Sequence, residues 1–189
     1  MIIFGIDPGS DRTGYGCVNT DGSRHTLITC GAIKTKASAT FPQKLLVIHA
    51  GLAALLSECR PDAVAIENLF HAVNARSALT LGHARGVAML AAAEAGVPIF
   101  EYTPAEVKRV VVGYGRAEKA QVQQMIKMLL GLAQAPSPYD AADALAVAVC
   151  HIHSQPPRVV RAIAQAAGAA TSLRASRRKV ATSWRHYRP

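Results

Sequence analysis

The sequence predicts an α/β fold in which a five-stranded mixed sheet is flanked by helices. Three strand-like segments come first, and after them strands alternate with helices, which is the order typical of a mixed sheet covered by helices. Half of the residues are hydrophobic and 17% are charged, as expected for a globular domain with its own core. The 189 residues are enough for one such domain and an extension.

The first three strands are expected to form an antiparallel meander. Residues 1–7, MIIFGID, are a mainly apolar run that ends in an acid before the turn Pro8-Gly9. Two further strands are predicted at 15–19 and 26–33, separated by the turn signal Asp21-Gly22. Strands joined in this way pair as neighbours, so these three should form one side of the sheet.

The rest of the domain alternates between helical and strand patterns. Apolar residues recur at helical spacing in four segments, and two short apolar runs bounded by turn residues predict buried strands. Thr103-Pro104 followed by Glu106 is typical of a helix start. In order, we predict a helix at 41–58, a strand at 63–67, a helix at 74–95, a strand at 99–102, and helices from 103, over 118–130 and over 140–153.

Positive charge is concentrated at the C-terminus. The net charge is +9; residues 158–189 carry eight basic residues and no acid, whereas residues 1–157 carry 13 basic and 12 acidic residues. Gln155-Pro156-Pro157 predicts a boundary between a domain at 1–154 and a basic, flexible tail at 155–189. This distribution favours a polyanionic partner; a solvated tail without a partner is the alternative. The tail residues that resemble a nucleic-acid-binding arm are Arg177, Arg178, Lys179, Trp184, Arg185 and Tyr187.

Several classes of protein are disfavoured. No signal peptide is visible, and no run reaches the roughly 18 uncharged apolar residues of a membrane span, so we expect a cytoplasmic protein without a membrane partner. His151 and His153 are two residues apart and do not share a helix face, so we expect no metal site there. Reduced thiols are expected at all four cysteines, which lack metal-ligand spacing: Cys17, Cys30, Cys59 and Cys150.

Four carboxylates interrupt apolar stretches that should be buried. Asp7 ends IIFGID, Glu67 ends AVAIE, and Asp140 and Asp143 lie in YDAADALAVA. Burying an unpaired carboxylate is costly, so each needs a cation or strong donors beside it. Residues three apart on a helix face the same way. The three segments therefore predict one shared site for divalent cations, whose preferred ligands are oxygens.

Such a site has a chemical purpose. Two Mg²⁺ ions about 3.5–4 Å apart can activate a water and stabilise the leaving oxygen of a phosphodiester. Two of the acids also have ordinary explanations, because Asp7 could form a turn before Pro8-Gly9 and Asp140 could be a helix N-cap. Glu67 and Asp143 lie inside apolar runs without a local cation and are harder to explain in that way.

Four linked segments point to one family. They are GIDPGSDRTGYG, AIENLF, NARSALTLGHARG and YDAADALAVA, and the resemblance that they carry covers roughly residues 1–154. In this order and spacing they resemble the RuvC family of Holliday junction resolvases. GIDPG alone would not distinguish this family from actin-like ATPases, so the resemblance depends on the four segments together.

The resemblance implies a ribonuclease H-like fold and a homodimer that acts on four-way DNA junctions in recombination and repair. It implies an endodeoxyribonuclease that hydrolyses two opposing strands symmetrically with Mg²⁺, two ions per site, which Mn²⁺ can replace. The family's four catalytic and metal-binding acids fall on Asp7, Glu67, Asp140 and Asp143, although some members carry His at the position of Asp140. A branch-migration motor is a further partner that the resemblance implies.

An aromatic residue beside these acids is a predicted DNA contact. Phe70 follows Glu67 by three residues and resembles the family's aromatic that stacks on an unpaired base near the crossover. Stacking is worth about 1–3 kcal/mol per base, enough to support local strand opening. An ordinary core phenylalanine is the alternative.

Basic residues and one loop complete the predicted DNA interface. Lys108 and Lys119 match basic positions of the family, and Arg76 matches more loosely. Lys119 follows a glycine loop in the first turn of a helix, where backbone N–H groups favour phosphate. Tyr114 and Arg116 lie in that loop and could reach into DNA.

Two alternatives compete with a junction resolvase. One is another ribonuclease H-like nuclease, of the YqgF type, acting on other nucleic acid. The other is a non-catalytic protein that keeps the fold and only binds junctions. The YDAAD helix and AIENLF favour RuvC over the YqgF type, and the complete set of four acids favours catalysis.

Overall fold

The computed structural model describes residues 1–68 and 74–155. Within them the strands are β1 Ile2–Asp7, β2 Arg12–Thr20, β3 His25–Lys34, β4 Ala63–Glu67 and β5 Ile99–Tyr102. The helices are α1 Phe41–Cys59, α2 Ala75–Glu94, α3 Pro104–Val112, α4 Lys119–Leu129 and α5 Tyr139–Ser154. Phe70 and the predicted tail beyond Gln155 lie outside the described residues.

The strands form one five-stranded mixed sheet in the order β3-β2-β1-β4-β5. β1, β2 and β3 pair antiparallel, whereas β4 and β5 run parallel to β1. The predicted fold class and the meander are therefore confirmed. The start predicted for β2 was too late: the strand begins at Arg12 rather than Tyr15, because Thr13 and Gly14 already pair with β3.

Helices cover both faces of the sheet. Side chains alternate between the faces along a strand. Ile3, Ala63 and Ala65 pack in one hydrophobic cluster with α3, α4 and α5, whereas Phe4 and Ile66 pack in a second cluster with α1 and α2. The core thus has two layers, one on each side of the sheet.

The α5 helix packs closely against the sheet because the strand residues beneath it are glycines. A Cβ added to Gly5 would collide with the Ala144 carbonyl oxygen and come within 2.9 Å of the Ala148 nitrogen. Gly16 is the partner of Gly5 across the β1–β2 ladder, and its added Cβ would lie 2.6 Å from Leu145 Cδ2. With no side chains between them, helix and strands pack backbone against backbone.

The predicted start of α3 agrees with the structure. Thr103 and Glu106 form a reciprocal cap at the start of α3: the Thr103 N–H donates to Glu106 Oε2 at 2.7 Å, and the Glu106 N–H donates to Thr103 Oγ1 at 3.3 Å. All four cysteines are free thiols. In the described part of the chain, none of the helices has the length and apolarity needed to cross a bilayer.

Replacing Gly5 with alanine should destabilise the fold. The new methyl group would overlap backbone atoms of α5, so we expect a loss of at least about 1–3 kcal/mol. Thermal unfolding would report this as a melting temperature lower by roughly 2–4 °C per kcal/mol. Gly115→Ala is the matched control, since its nearest neighbour would be the Ala105 carbonyl oxygen at 3.4 Å. Equal melting temperatures for the two variants would contradict the proposed backbone contact.

Candidate active site

Two acids lie side by side at the carboxyl ends of neighbouring parallel strands. Asp7 ends β1 and Glu67 ends β4, and the β1–β4 register pairs Ile6 with Ile66 just before them. Both continue the residue alternation that faces α5. The sheet therefore fixes the two carboxylates as neighbours on the same face.

This arrangement makes ionisation of Asp7 and Glu67 unfavourable. Burial, followed by the charges of Glu67 and Asp143, raises the pKa of Asp7 well above its ordinary value. Burial and the charge of Asp143 likewise raise the pKa of Glu67. The two carboxyl groups are close enough to share a hydrogen bond, which favours holding one proton between them. The protein thus holds acids where ionisation is unfavourable without a cation.

The other two acids come from the first turn and a half of α5. Gly14 is the β2 partner of Asp7, and a Cβ on Gly14 would lie 3.1 Å from the Cβ of Asp140. Asp143 lies one turn further along α5, with its side chain 18% exposed. The N-cap of α5 is Pro138, so the interpretation of Asp140 as an N-cap is wrong.

A lysine completes the cluster. Lys119, the first residue of α4, donates from Nζ to Asp143 Oδ2 at 2.8 Å. This hydrogen bond, with the charges of Asp143, Asp7 and Asp140, raises the pKa of the lysine despite partial burial. In turn the charge of Lys119 offsets part of the rise in the pKa of Asp7. The charges of Lys119 and Lys108 together offset part of the rise in the pKa of Glu67. Both lysines are therefore near the acids, as predicted.

A family model described as crossover junction endodeoxyribonuclease RuvC matches residues 3–151, which include all four acids and both lysines. The chain belongs to the RuvC family.

Individual RuvC proteins are similar over most or all of the chain. The RuvC of Ruminiclostridium cellulolyticum is 56% identical over 154 residues, covering 82% of this chain and 93% of its own. That of Trichlorobacter lovleyi is 50% identical over 190 residues and covers both chains completely. Among solved structures, T. thermophilus RuvC in complex with a Holliday junction substrate is 38% identical, with a TM-score of 0.77 over 81% of this chain and 93% of that one. The expected ribonuclease H-like fold is confirmed by this match.

The four acids of this RuvC chain do not form a closed cage. Across residues 1–68 and 74–155, no three carboxylate, histidine or cysteine side chains are arranged as a ready-made ion site. Asp143 is instead paired with Lys119. The chemistry nonetheless fits a hard divalent cation: the donors are all carboxylate oxygens, and burial together with neighbouring carboxylates raises the pKa of Asp7 and of Glu67, so that a cation beside them would stabilise their ionised forms.

The remaining predicted DNA contacts that the structure describes lie on α2 and in the loop between α3 and α4. Arg76 is exposed in the first turn of α2, and Arg116 is exposed in the loop between α3 and α4. Tyr114 is 46% exposed in that loop, but its hydroxyl group donates to Gln121 Oε1 at 2.7 Å. Phe70 lies outside the described residues, so its predicted role stays a prediction.

His151 and His153 face different surroundings, as residues two apart on a helix do. His151 is fully buried, and its Nδ1 is 2.8 Å from the Tyr102 hydroxyl oxygen. His153 is directed to the β2–β3 hairpin, where its Nε2 is 2.9 Å from His25 Nε2. Burial lowers the pKa of His151 to about 4.

Sequence reasoning missed the glycines that bring the acids together. Gly14 and Gly16 are two apart, so they lie on one face of β2, and Gly5 lies opposite Gly16. All three glycines are visible in the sequence GIDPGSDRTGYG. Without knowledge of which strands pair, however, glycines in this segment predict turns rather than a close contact with a helix.

The raised carboxyl pKa values predict a pH-dependent effect of Asp7→Asn on stability. Protonated Asp7 and Glu67 favour folding at low pH, and that contribution is lost as pH rises through their raised folded-state pKa values. In chelator, Asp7→Asn should therefore become progressively more stable than the wild type as the pH rises above the ordinary aspartate pKa of about 4, by up to about 1.4 kcal/mol for each unit of pKa shift.

Urea denaturation at several pH values measures this difference. Glu58→Gln, an exposed change near the end of α1, is the control and should show no such trend. If the stability difference between Asp7→Asn and the wild type were constant across the pH range, burial and neighbouring charges would not raise the pKa of Asp7 as described.

Proposed function

We propose that this chain resolves four-way DNA junctions by metal-dependent hydrolysis of two opposing strands at the cluster of Asp7, Glu67, Asp140 and Asp143. The observation that supports this most strongly is the placement of Asp7 and Glu67, two crowded carboxylates, on the sheet face that α5 covers. Its membership of a family of crossover junction endodeoxyribonucleases supplies the substrate class and the reaction.

The acids are proposed to hold two Mg²⁺ ions, which Mn²⁺ can replace. Bound cations supply an activated water and charge stabilisation at the phosphodiester. The chain's own contribution is to hold carboxylates at strand ends and on α5, where their orientation is fixed by the sheet and by the close helix contact. Asp143 would exchange its pairing with Lys119 for coordination when the ions bind.

Lys119 and Lys108 are proposed to bind the DNA backbone at the reacting phosphate. Lys119 has a side chain 65% exposed, so its ammonium group is reachable from solvent while it touches Asp143. Each lysine adds positive charge beside acids that would otherwise repel a phosphate. Arg76, Arg116 and Tyr114 are proposed as outer DNA contacts, and Phe70 as the residue that stacks on an unpaired base.

The active form is proposed to be a homodimer that pairs through α1 and α2. These helices border a groove of about 470 Å³ in which Gly82 and Gly86 form part of the wall. A Cβ added to either glycine would meet nothing within 4 Å, so the open space is available to a partner. Large apolar side chains stand exposed nearby: Leu46 67%, Leu79 64% and Leu90 52%.

A second copy is the occupant that best suits this surface. An exposed apolar patch of this kind favours a protein partner. A two-fold axis through it would bury the same patch on both copies. It would also give the assembly two carboxylate clusters, as symmetric cleavage of two strands requires.

The C-terminal tail, a second partner and the cellular location are also proposed. The basic residues of 158–189 would add salt-sensitive contacts to phosphates, as a tail appended to the domain at 1–154. A branch-migration motor would deliver junctions to the dimer. A cytoplasmic location is proposed, because a crossover junction endodeoxyribonuclease has to reach DNA.

Cleavage of a synthetic four-way junction tests the function. With Mg²⁺ we expect two symmetric nicks in the junction and little cleavage of linear duplex of the same sequence. Asp7→Asn should lower the cleavage rate by at least about 100-fold, as the loss of an electrostatic catalytic group does. Its junction affinity should stay close to that of the wild type.

Asp21→Asn makes the same chemical change in the β2–β3 hairpin, at the opposite end of β2 from the cluster, and should leave cleavage unchanged. Equal cleavage of duplex and junction would favour a nuclease of the YqgF type. Tight junction binding by wild type without any cleavage would favour the non-catalytic binder.

Sedimentation equilibrium tests the dimer. Gly86→Gln should shift the protein towards monomer, because the new side chain occupies the groove. It should not weaken the isolated fold, since glutamine favours a helix more than glycine does, by roughly 0.5 kcal/mol or more. Ala105→Gln, at an exposed position of α3 outside the proposed interface, is the control. A Gly86→Gln variant with the wild-type mass and dissociation constant would exclude this face as the dimer interface.

A further inference from the structure

The loop between α3 and α4 is tied to the start of α4 by one side-chain contact. Tyr114 Oη donates to Gln121 Oε1 at 2.7 Å, and the same oxygen accepts the backbone N–H of Glu118 at 2.9 Å. Gln121 therefore connects a loop aromatic to the residue that caps α4. The contact lies on the protein surface, where it costs little to form and is not required to fill the core.

The helix turn held in this way is the one that carries Lys119. Lys119 lies between Glu118 and Gln121 in the sequence, and its Nζ is 2.8 Å from Asp143 Oδ2. A lysine side chain has four flexible carbons, so the place of its ammonium group depends on where the backbone of its turn is held. A displacement of about 1 Å at a reacting group can cost a large factor in rate.

We propose that Tyr114 is a positioning residue for the cleavage reaction. Its hydroxyl group, through Gln121, fixes the first turn of α4 and so keeps the Lys119 ammonium group at the carboxylate cluster. This inference rests on the proposed nuclease function and gives Tyr114 a role that differs from a DNA contact. A contact with DNA would use the exposed ring, whereas positioning uses the hydroxyl group.

The structure around the loop supports a defined position for Tyr114. Gly113 ends α3 with a φ of 96°, a left-handed conformation that glycine adopts readily. Ala117 is buried, which anchors the other end of the loop to the core. The loop thus leaves α3 through one fixed turn and enters α4 through a buried residue, with Tyr114 between them.

Tyr114→Phe separates the two roles because it removes only the hydroxyl group. We expect single-turnover cleavage of a four-way junction to slow by about 2- to 10-fold, the value of one neutral hydrogen bond. Junction affinity should stay within about 2-fold of wild type, since the ring is retained. Gln121→Leu should slow cleavage by at least as much, because it also frees the Glu118 N–H.

The double variant Tyr114→Phe/Gln121→Leu makes the test specific. If the hydroxyl group acts through Gln121, adding Tyr114→Phe to Gln121→Leu should have no further effect on the rate. Gln124→Leu, the same substitution on an exposed position of α4, is the control and should cleave at the wild-type rate. Thermal unfolding of every variant ensures that rates are measured on folded protein.

Three results would overturn the inference. They are a wild-type rate for Tyr114→Phe, a loss confined to junction affinity, and an effect of Tyr114→Phe that persists in the Gln121→Leu background. Failure of the wild-type protein to cut any junction would instead overturn the proposed function, so the two failures can be distinguished.

Discussion

The close contact between α5 and the sheet is the constraint on which the candidate site depends. Gly5, Gly14 and Gly16 remove side chains from the path of the helix, so its backbone rests on the strands. Only at this separation does a carboxylate from the first turns of α5 reach the ends of β1 and β4. A side chain at Gly5 or Gly14 would overlap backbone atoms of α5, so small residues that carry no reacting group determine where the acids of α5 lie.

The same contact brings four acids together, and other residues of the site offset part of their negative charge. Four acids converge on a domain whose net charge is nearly zero, and burial makes ionisation of Asp7 and Glu67 unfavourable. Lys119 offsets part of this charge from the start of α4, and its own charge is stabilised in return. Four acids with two nearby lysines remain short of positive charge, which suits a site that receives cations together with a polyanion.

Most of the fold was predictable because its signals are local. The apolar strands, the turn at Asp21-Gly22 and the cap at Thr103 each depend on a few neighbouring residues, and all agree with the structure. Asp7 and Glu67 were identified since each ends an apolar strand. What the sequence could not provide depends on pairing between distant segments: the early start of β2, the glycine floor under α5, and the pairing of Lys119 with Asp143.

The raised pKa values of Asp7 and Glu67 link cation binding to acid–base chemistry. A protonated carboxyl group must release its proton before it can act as a ligand, so a cation would compete with protons for these two acids. Affinity for the ion is then lower in acidified medium and higher in alkaline medium.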